Sequence, residues 1–429
     1  MNSLQIVQDF DTYDFGGSDD SDNFSESQRE SPYLSDHNER DSCWDKRRIL
    51  ADRVVALYQE AGESALAEKI AGCSQVLVFK NKDDGLKLNH TWLCRSIFCP
   101  LCQPRLAAKR RAKLFQILPK FLDDNQDFPL LFLTLTIKSI KINHLRKTLI
   151  HMNESWEKLM AYKAFRFFAG TLRSTEITRA FDVSYNSKKI GLLSSSKIAK
   201  WKWNNRGYNP DLLEIKATPW VHPHFHCLLI APSDYFNDDS SNYISQPEFV
   251  KLWRRAAKLK YKPIVDIRRV KIDEIEQSVP FTLNEFESLD NEIQDDSDWI
   301  SALLSAPGLP EEDTQEKPEA LVPIPSQAVK AVLELCKYFC KPQQILGQEV
   351  NSSSRFTNSQ WLKISTQQLK SMRLFNSSGI FRYYLREGAE EYANLIKIRD
   401  SQDIESPADY SPKVYYNWDK TDNRYRLRD

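Results

Sequence analysis

The stretch Val221-His222-Pro223-His224-Phe225-His226-Cys227-Leu228-Leu229-Ile230 constrains this chain most. The chain has 7 histidines, and three of them alternate through it. Val221 and the run Cys227 to Ile230 have the composition of a buried strand. Alternate residues of a strand share a face, so His222, His224 and His226 are expected on one side and Phe225 in the core on the other. Neighbouring neutral imidazoles on a rigid strand form a platform for a divalent metal. The same pattern also suits a strand with partly exposed histidines, so the rest of the chain has to supply the context.

At 429 residues and 41% hydrophobic, the chain is long enough for more than one domain and rich enough for a sizeable core. Its zero net charge conceals a partition. Residues 1–42 carry 11 acidic and 2 basic side chains, and residues 273–320 carry 15 and 1. Setting these segments aside leaves 56 basic against 33 acidic, a body of net charge +23. Such a body suits a polyanion, nucleic acid first. No apolar run reaches membrane-spanning length and the N-terminus is acidic, so the expectation is a cytoplasmic protein with no membrane partner.

Read in order, residues 1–42 form an acidic tail expected to be disordered, and residues 43–125 a helical, cysteine-rich region. Helical spacing covers residues 46–71, and a strand follows at Gln75 to Phe79. The set Cys73, Cys94, Cys99 and Cys102 contains one C-x-x-C knuckle, and four thiolates suit tetrahedral Zn²⁺; His90 is the alternative fourth ligand. The basic segment Arg105 to Lys113 reads as a helix suited to phosphates or simply to solvent.

Residues 126–272 hold strands at Pro129–Ile137, Thr171–Thr178 and Val265–Val270, and helices over 143–169 and 247–262. Between them, residues 182–218 interleave Lys188, Lys189, Lys197, Lys200 and Lys202 with Trp201 and Trp203. That pattern suits single-stranded nucleic acid or an irregular exposed hairpin. Residues 273–322 read as an acidic insertion. In residues 323–390 the run Ala331 to Lys341 is helical, ending at Pro342. Glu334 and Tyr338 share a face, with Lys337 and Lys341 beside the tyrosine. A carboxylate, a phenol and two ammonium groups suit phosphoryl chemistry, or a surface helix with an internal ion pair. A helical segment is expected over 359–390, and a C-terminal tail over 391–429.

These motifs, in this order, resemble the rolling-circle replication initiators of small bacterial plasmids, the single-tyrosine HUH endonucleases. The resemblance is carried by Cys73, Cys94 and Cys99-Pro100-Leu101-Cys102, by Phe132-Leu133-Thr134-Leu135-Thr136, by His222-Pro223-His224-Phe225-His226, and by Glu334 to Lys341. It implies an α+β fold with a central antiparallel sheet flanked by helices, beside a cysteine-rich zinc-like region and disordered acidic segments. It implies His224 and His226 as ligands of Mg²⁺ or Mn²⁺, with Glu176 of an Arg-Ser-x-Glu-like strand as the third and His222 as a further ligand or supporting group. It implies Tyr338 as nucleophile and Glu334 as the base that activates water at termination. Lys337 and Lys341 would steady phenolate or phosphate. The implied partners are plasmid origin DNA, single-stranded or hairpin at the nick site, and the host helicase and replication machinery. A transposase or mobilisation relaxase would share the chemistry. A non-catalytic zinc-containing DNA-binding regulator would explain the charge and the cysteines alone.

Overall fold

The computed structural model describes residues 31–37, 41–82, 85–125, 127–270, 326–336, 355–385 and 413–428. Residues 1–30 of the acidic tail and the acidic insertion from residue 271 therefore lie outside the described residues; residues 31–37 of the tail, expected to be disordered, are folded, with Leu34 buried and Tyr33 bridged to Arg426.

The N-terminal part begins with α1 (Leu34–His37), α2 (Ser42–Glu60) and α3 (Ser64–Ala71). The single helix expected over 46–71 is thus two. The chain breaks at Gly62, whose φ of +71° is a left-handed conformation that glycine adopts at no steric cost. A hairpin follows, β1 (Val76–Lys82) and β2 (Gly85–Thr91), then α4 (Cys102–Asp124).

The central sheet starts with β3 (Leu130–Thr136) and the short β4 (Ile140–Lys141), followed by α5 (Leu145–Ala161). Next come β5 (Gly170–Tyr185), β6 (Lys188–Leu193), α6 (Ser195–Asn204) and β7 (Leu213–Ile230). Then come α7 (Gln246–Ala256), opened by a capping box of Ser245 and Glu248, and β8 (Val265–Val270). The strands run in the order β6-β5-β7-β3-β8, all neighbours antiparallel.

Both long strands exceed their sequence-based bounds. Residues 182–218 are not an irregular hairpin: β5, β6 and β7 continue through them, with α6 between. Phe181, Val183, Ile198 and Ile215 form a small separate core there. Their alternation is with polar Asp182, Ser184, Glu214 and Lys216 over only a few residues on each strand, too short a run to show the strand period.

After the insertion come α8 (Ser326–Leu335), α9 (Asn358–Leu369) and β9 (Phe375–Gly379). Helix was expected through 359–390, but β9 interrupts it and pairs with β5; residues 380–385 are helical again. Gly379 explains the interruption. Its φ is +57°, and a Cβ there would meet the Ala169 carbonyl oxygen at 2.1 Å.

The expected C-terminal tail carries a hairpin, β10 (Lys413–Asp419) and β11 (Arg424–Leu427). β10 pairs with β1, giving a second sheet in the order β11-β10-β1-β2. The fold is therefore α+β, with an antiparallel sheet flanked by helices and a cysteine cluster in its N-terminal part.

The central sheet is buried on both faces at one end. One face sends Leu133, Leu135, Phe225, Cys227 and Leu229 into the core with α5 and α7. The other packs Leu130, Leu172, Leu228 and Ile230 against α4, α8 and Phe381. Because the period of a strand is two, Glu176, His224 and His226 lie on this second face, beyond its apolar end. No helix among the described residues is long and apolar enough to cross a membrane.

Candidate metal centres and catalytic site

The pairing of β5 with β7 sets Glu176 opposite His224 and Ser174 opposite His226. Cross-strand partners share a face, so the carboxylate and both imidazoles converge. Glu176 Oε2 lies 3.2 Å from His224 Nε2 and 3.0 Å from His226 Nε2.

The other ring nitrogens are held from behind. His226 Nδ1 lies 3.2 Å from Thr134 Oγ1 on β3, and His224 Nδ1 lies 3.3 Å from the His222 carbonyl oxygen. A carbonyl only accepts, so it favours the proton on His224 Nδ1. In neutral His224 the Nε2 lone pair would then face a carboxylate oxygen, which is repulsive. A proton or a metal ion between the two relieves this.

The titration directions follow. Burial pushes the Glu176 carboxyl up, but hydrogen bonds with His224 and His226 outweigh it and hold the group well below the usual range. Burial disfavours charge on His224, yet the hydrogen bond with Glu176 wins and raises it. Two imidazoles and a carboxylate fit a divalent cation. A six-coordinate ion with ~2.1 Å bonds has neighbouring ligands ~3.0 Å apart, close to the spacing here.

His222 stays outside this group. Its ring is 5.6 Å from that of His224, and burial, with the charge of His224, pushes its pKa down to about 4. Behind the strand, Phe225 is fully buried against Trp156 and Trp253. The Arg173 guanidinium lies 4.3 Å from the Phe225 ring centre and donates to Asn153 at 2.7 Å, stiffening the strand from its opposite face.

Helix α8 brings Glu334 to the same place, its Oε1 3.7 Å from His226 Nε2. Tyr338, Lys337 and Lys341 lie outside the described residues.

The second cluster is Cys73, Cys94, Cys99 and Cys102, all buried, with ligand atoms within 4.8 Å of one another. Three sulfur pairs, Cys73–Cys102, Cys94–Cys102 and Cys73–Cys99, stand at 3.6 Å. That is far beyond a disulfide bond and close to the ~3.8 Å edge of a tetrahedron with 2.3 Å zinc–sulfur bonds.

Backbone amides of Cys94, Arg95 and Ser96 point at the sulfurs of Cys73, Cys102 and Cys94 at 3.4, 3.2 and 3.4 Å. They would stabilise thiolate charge, and the φ of +56° at Arg95 turns the knuckle to allow it. His90 sits exposed on β2 opposite Val78 and is not part of the cluster.

Sequence reasoning missed the supporting residues. Thr134 stands in the sequence as a member of the Phe132 to Thr136 motif, with no role attached to it. Arg48, fully buried and donating to the Cys73 carbonyl at 2.5 Å, had no sequence signal beyond its place in an apolar helix.

The family model described as replication protein matches residues 85–307. The chain belongs to the replication protein family. This agrees with the resemblance carried by the four motifs. The match takes in Cys94, Cys99, Cys102, Glu176, His224 and His226; Cys73 and Glu334 fall outside its bounds.

Among curated relatives, a "Protein rep" of Streptococcus pneumoniae is 28% identical over 243 residues, 56% of this chain and 65% of that protein. One of Lactiplantibacillus plantarum is 32% identical over 231 residues, 53% of this chain and 61% of its own length. The chain thus spans just under two thirds of these relatives. A "Protein rep" of Bacillus amyloliquefaciens is 26% identical over 393 residues, covering 88% of this chain and 91% of that protein. No solved structure matches.

Proposed function

We propose that this chain initiates rolling-circle replication of a plasmid, nicking one strand of origin DNA through a tyrosine. The observation that carries the reading is the convergence of Glu176, His224 and His226, with Glu334 at 3.7 Å from His226. A divalent cation bound there, Mg²⁺ or Mn²⁺, would polarise the scissile phosphate and offset its developing charge.

Tyr338 lies four residues after Glu334, one helical turn in sequence. Its phenol oxygen attacks the phosphorus, and the bond to the 3′ oxygen breaks. The products are a 5′-phosphotyrosine and a 3′-hydroxyl that primes synthesis. Lys337 and Lys341 favour the phenolate or hold the phosphate. At termination Glu334 takes a proton from the water that releases the tyrosine. The four cysteines hold a structural Zn²⁺, and origin recognition draws on their region and on the basic segments. The host helicase and polymerase act on the nicked product.

The experiment is covalent capture. The full chain is incubated with Mn²⁺ and a labelled single strand from its own replicon's origin. The wild type should form a DNA adduct and Tyr338→Phe none; an adduct with the Phe variant would remove Tyr338 from its role. Glu334→Ala should still nick but lose the closing hydrolysis, and equal loss of both steps would contradict its assignment.

A further inference from the structure

One charged cavity is not used by this mechanism. It has a volume of about 390 Å³ and lies between α4, the edge strand β9 and the helical residues 380–385, lined in part by Arg110, Lys113, Phe375, Ser377 and Arg382. Among its described lining residues three are cations and none is a carboxylate. None of the three forms an ion pair with a described residue. The Arg110 guanidinium rests 5.1 Å from the centre of the Phe375 ring, which fixes its position at the wall. Burial depresses the pKa of both Arg110 and Lys113, as expected for cations held without a counter-charge.

Its place in the fold is specific. Phe375 pairs with Ser174 and Ser377 with Leu172 on β5. Ser174 and Leu172 share a face with Glu176, so Phe375 and Ser377 lie on the same sheet face as the metal ligands. Ser174 is two residues from Glu176, about 7 Å along the strand, and β9 is about 5 Å further out. The cavity therefore opens on the order of 10 Å from the Glu176–His224–His226 group. That is a reach of a few nucleotides along a DNA strand.

We propose that this cavity clamps a backbone phosphate of the nicked DNA strand, a few nucleotides from the scissile bond. Arg110, Lys113 and Arg382 supply charge, Ser377 a hydroxyl donor, and Phe375 an apolar wall for the adjoining sugar. The cavity is of ligand-binding size, and its described lining offers three cations and a hydroxyl to an anion. The clamp rests on the proposed function only for the identity of the strand. It fixes the strand's path across the sheet face, so that the phosphate at the metal site is chosen by register as well as by base recognition.

The test alters the DNA as well as the protein, so a folding defect cannot imitate the result. Oligonucleotides spanning the mapped nick site carry one uncharged methylphosphonate at each position in turn. Affinity is measured by fluorescence anisotropy for the full-length wild type and for the Lys113→Gln, Arg382→Gln double variant, and cleavage is read on the same strands with Mn²⁺.

In the wild type, one position near the nick should cost about tenfold in affinity, the worth of one charge-assisted contact. The double variant should bind the unmodified strand about tenfold or more weakly and be indifferent to that methylphosphonate. Equal binding by variant and wild type, or an unchanged penalty in the variant, would overturn the clamp. So would competition by inorganic phosphate at the concentration at which the oligonucleotide itself competes, since that marks a free-anion site. Absence of cleavage together with variant-sensitive binding would remove the nicking function and leave the clamp standing. Cleavage with no charge-sensitive position would do the reverse.

Discussion

The two ligand clusters of this chain are built in opposite ways. The four cysteines come from one stretch of 30 residues, Cys73 to Cys102, and all are buried. Glu176, His224 and His226 come from two strands, and Glu176 and His224 keep partial access to solvent. Four ligands close a tetrahedral ion off from everything else, whereas three leave positions for water or substrate. The first arrangement suits structure and the second suits chemistry. The surroundings agree. The cysteines tie the end of α3, the β1–β2 hairpin and the start of α4 together, beside a core of Trp44, Tyr58, Ile70, Phe79 and Tyr425. The histidines sit on a sheet already packed on one face by Phe225, Trp156 and Trp253. Removing a metal should therefore have a different consequence at each place.

The largest expected effect is at the cysteines. Structural zinc contributes on the order of 10 kcal/mol to small domains that depend on it. Cys94→Ser, or exhaustive chelation, should unfold α2, α3 and both hairpins. The loss should be visible in near-ultraviolet circular dichroism, where buried Trp44 and Trp418 report. A protein that keeps its melting curve after either treatment would show that these sulfurs are merely packed.

At the histidines the same logic predicts lost activity with a retained fold. His226→Ala should lower nicking by at least ~10²-fold and bind Mn²⁺ weakly in calorimetry, with a melting temperature close to that of the wild type. Collapse of the fold instead would erase the contrast between the clusters.

A smaller effect should follow from loosening a ligand. Thr134→Val removes the hydroxyl 3.2 Å from His226 Nδ1 and nearly preserves side-chain volume. Such supporting contacts are worth about 10- to 100-fold in metal affinity. The measurement is a Mn²⁺ titration of nicking, in which the half-saturating concentration should rise while the plateau rate changes little. A lower plateau at unchanged half-saturation would mean that Thr134 acts elsewhere.

The contrast was unevenly legible in the sequence. The histidine strand and its face follow from a period of two, and Cys94, Cys99 and Cys102 from knuckle spacing, both local properties; Cys73 is joined to them by the fold, which leaves His90 outside. The antiparallel α+β class came with the family resemblance, and the pairing of Glu176 with His224 agrees with it. What stayed hidden is non-local. Only the pairing of β9 with β5 creates the cationic cavity. Likewise only the pairing of β10 with β1 reveals that the C-terminal stretch belongs to the cysteine region, 300 residues and more away in sequence. The length of β5 and β7 was obscured because polar residues, Asp182, Ser184, Glu214 and Lys216, occupy their outward positions, and the break before β9 because Leu374 and Phe375 continue an apolar pattern.

The C-terminal hairpin provides the finest test, because it supports the cysteines as Thr134 supports His226. Trp418 Nε1 donates to Asp52 at 3.1 Å, Asp52 accepts from Arg48 at 2.5 Å, and Arg48 donates to the Cys73 carbonyl. This chain of bonds joins the C-terminal hairpin to Cys73, the first cysteine of the cluster. Trp418→Phe removes one link and retains most of the apolar ring. The loss should be about 1 kcal/mol, the net worth of one hydrogen bond to a charged acceptor at a partly exposed position. It should appear as a small fall in the melting temperature of the cysteine region and as faster zinc transfer to a colorimetric chelator. Nicking by the metal site should be unchanged, since no link in this chain reaches β5 or β7. A loss of nicking without a change in zinc release would mean that the hairpin acts on the catalytic sheet rather than on the cysteines.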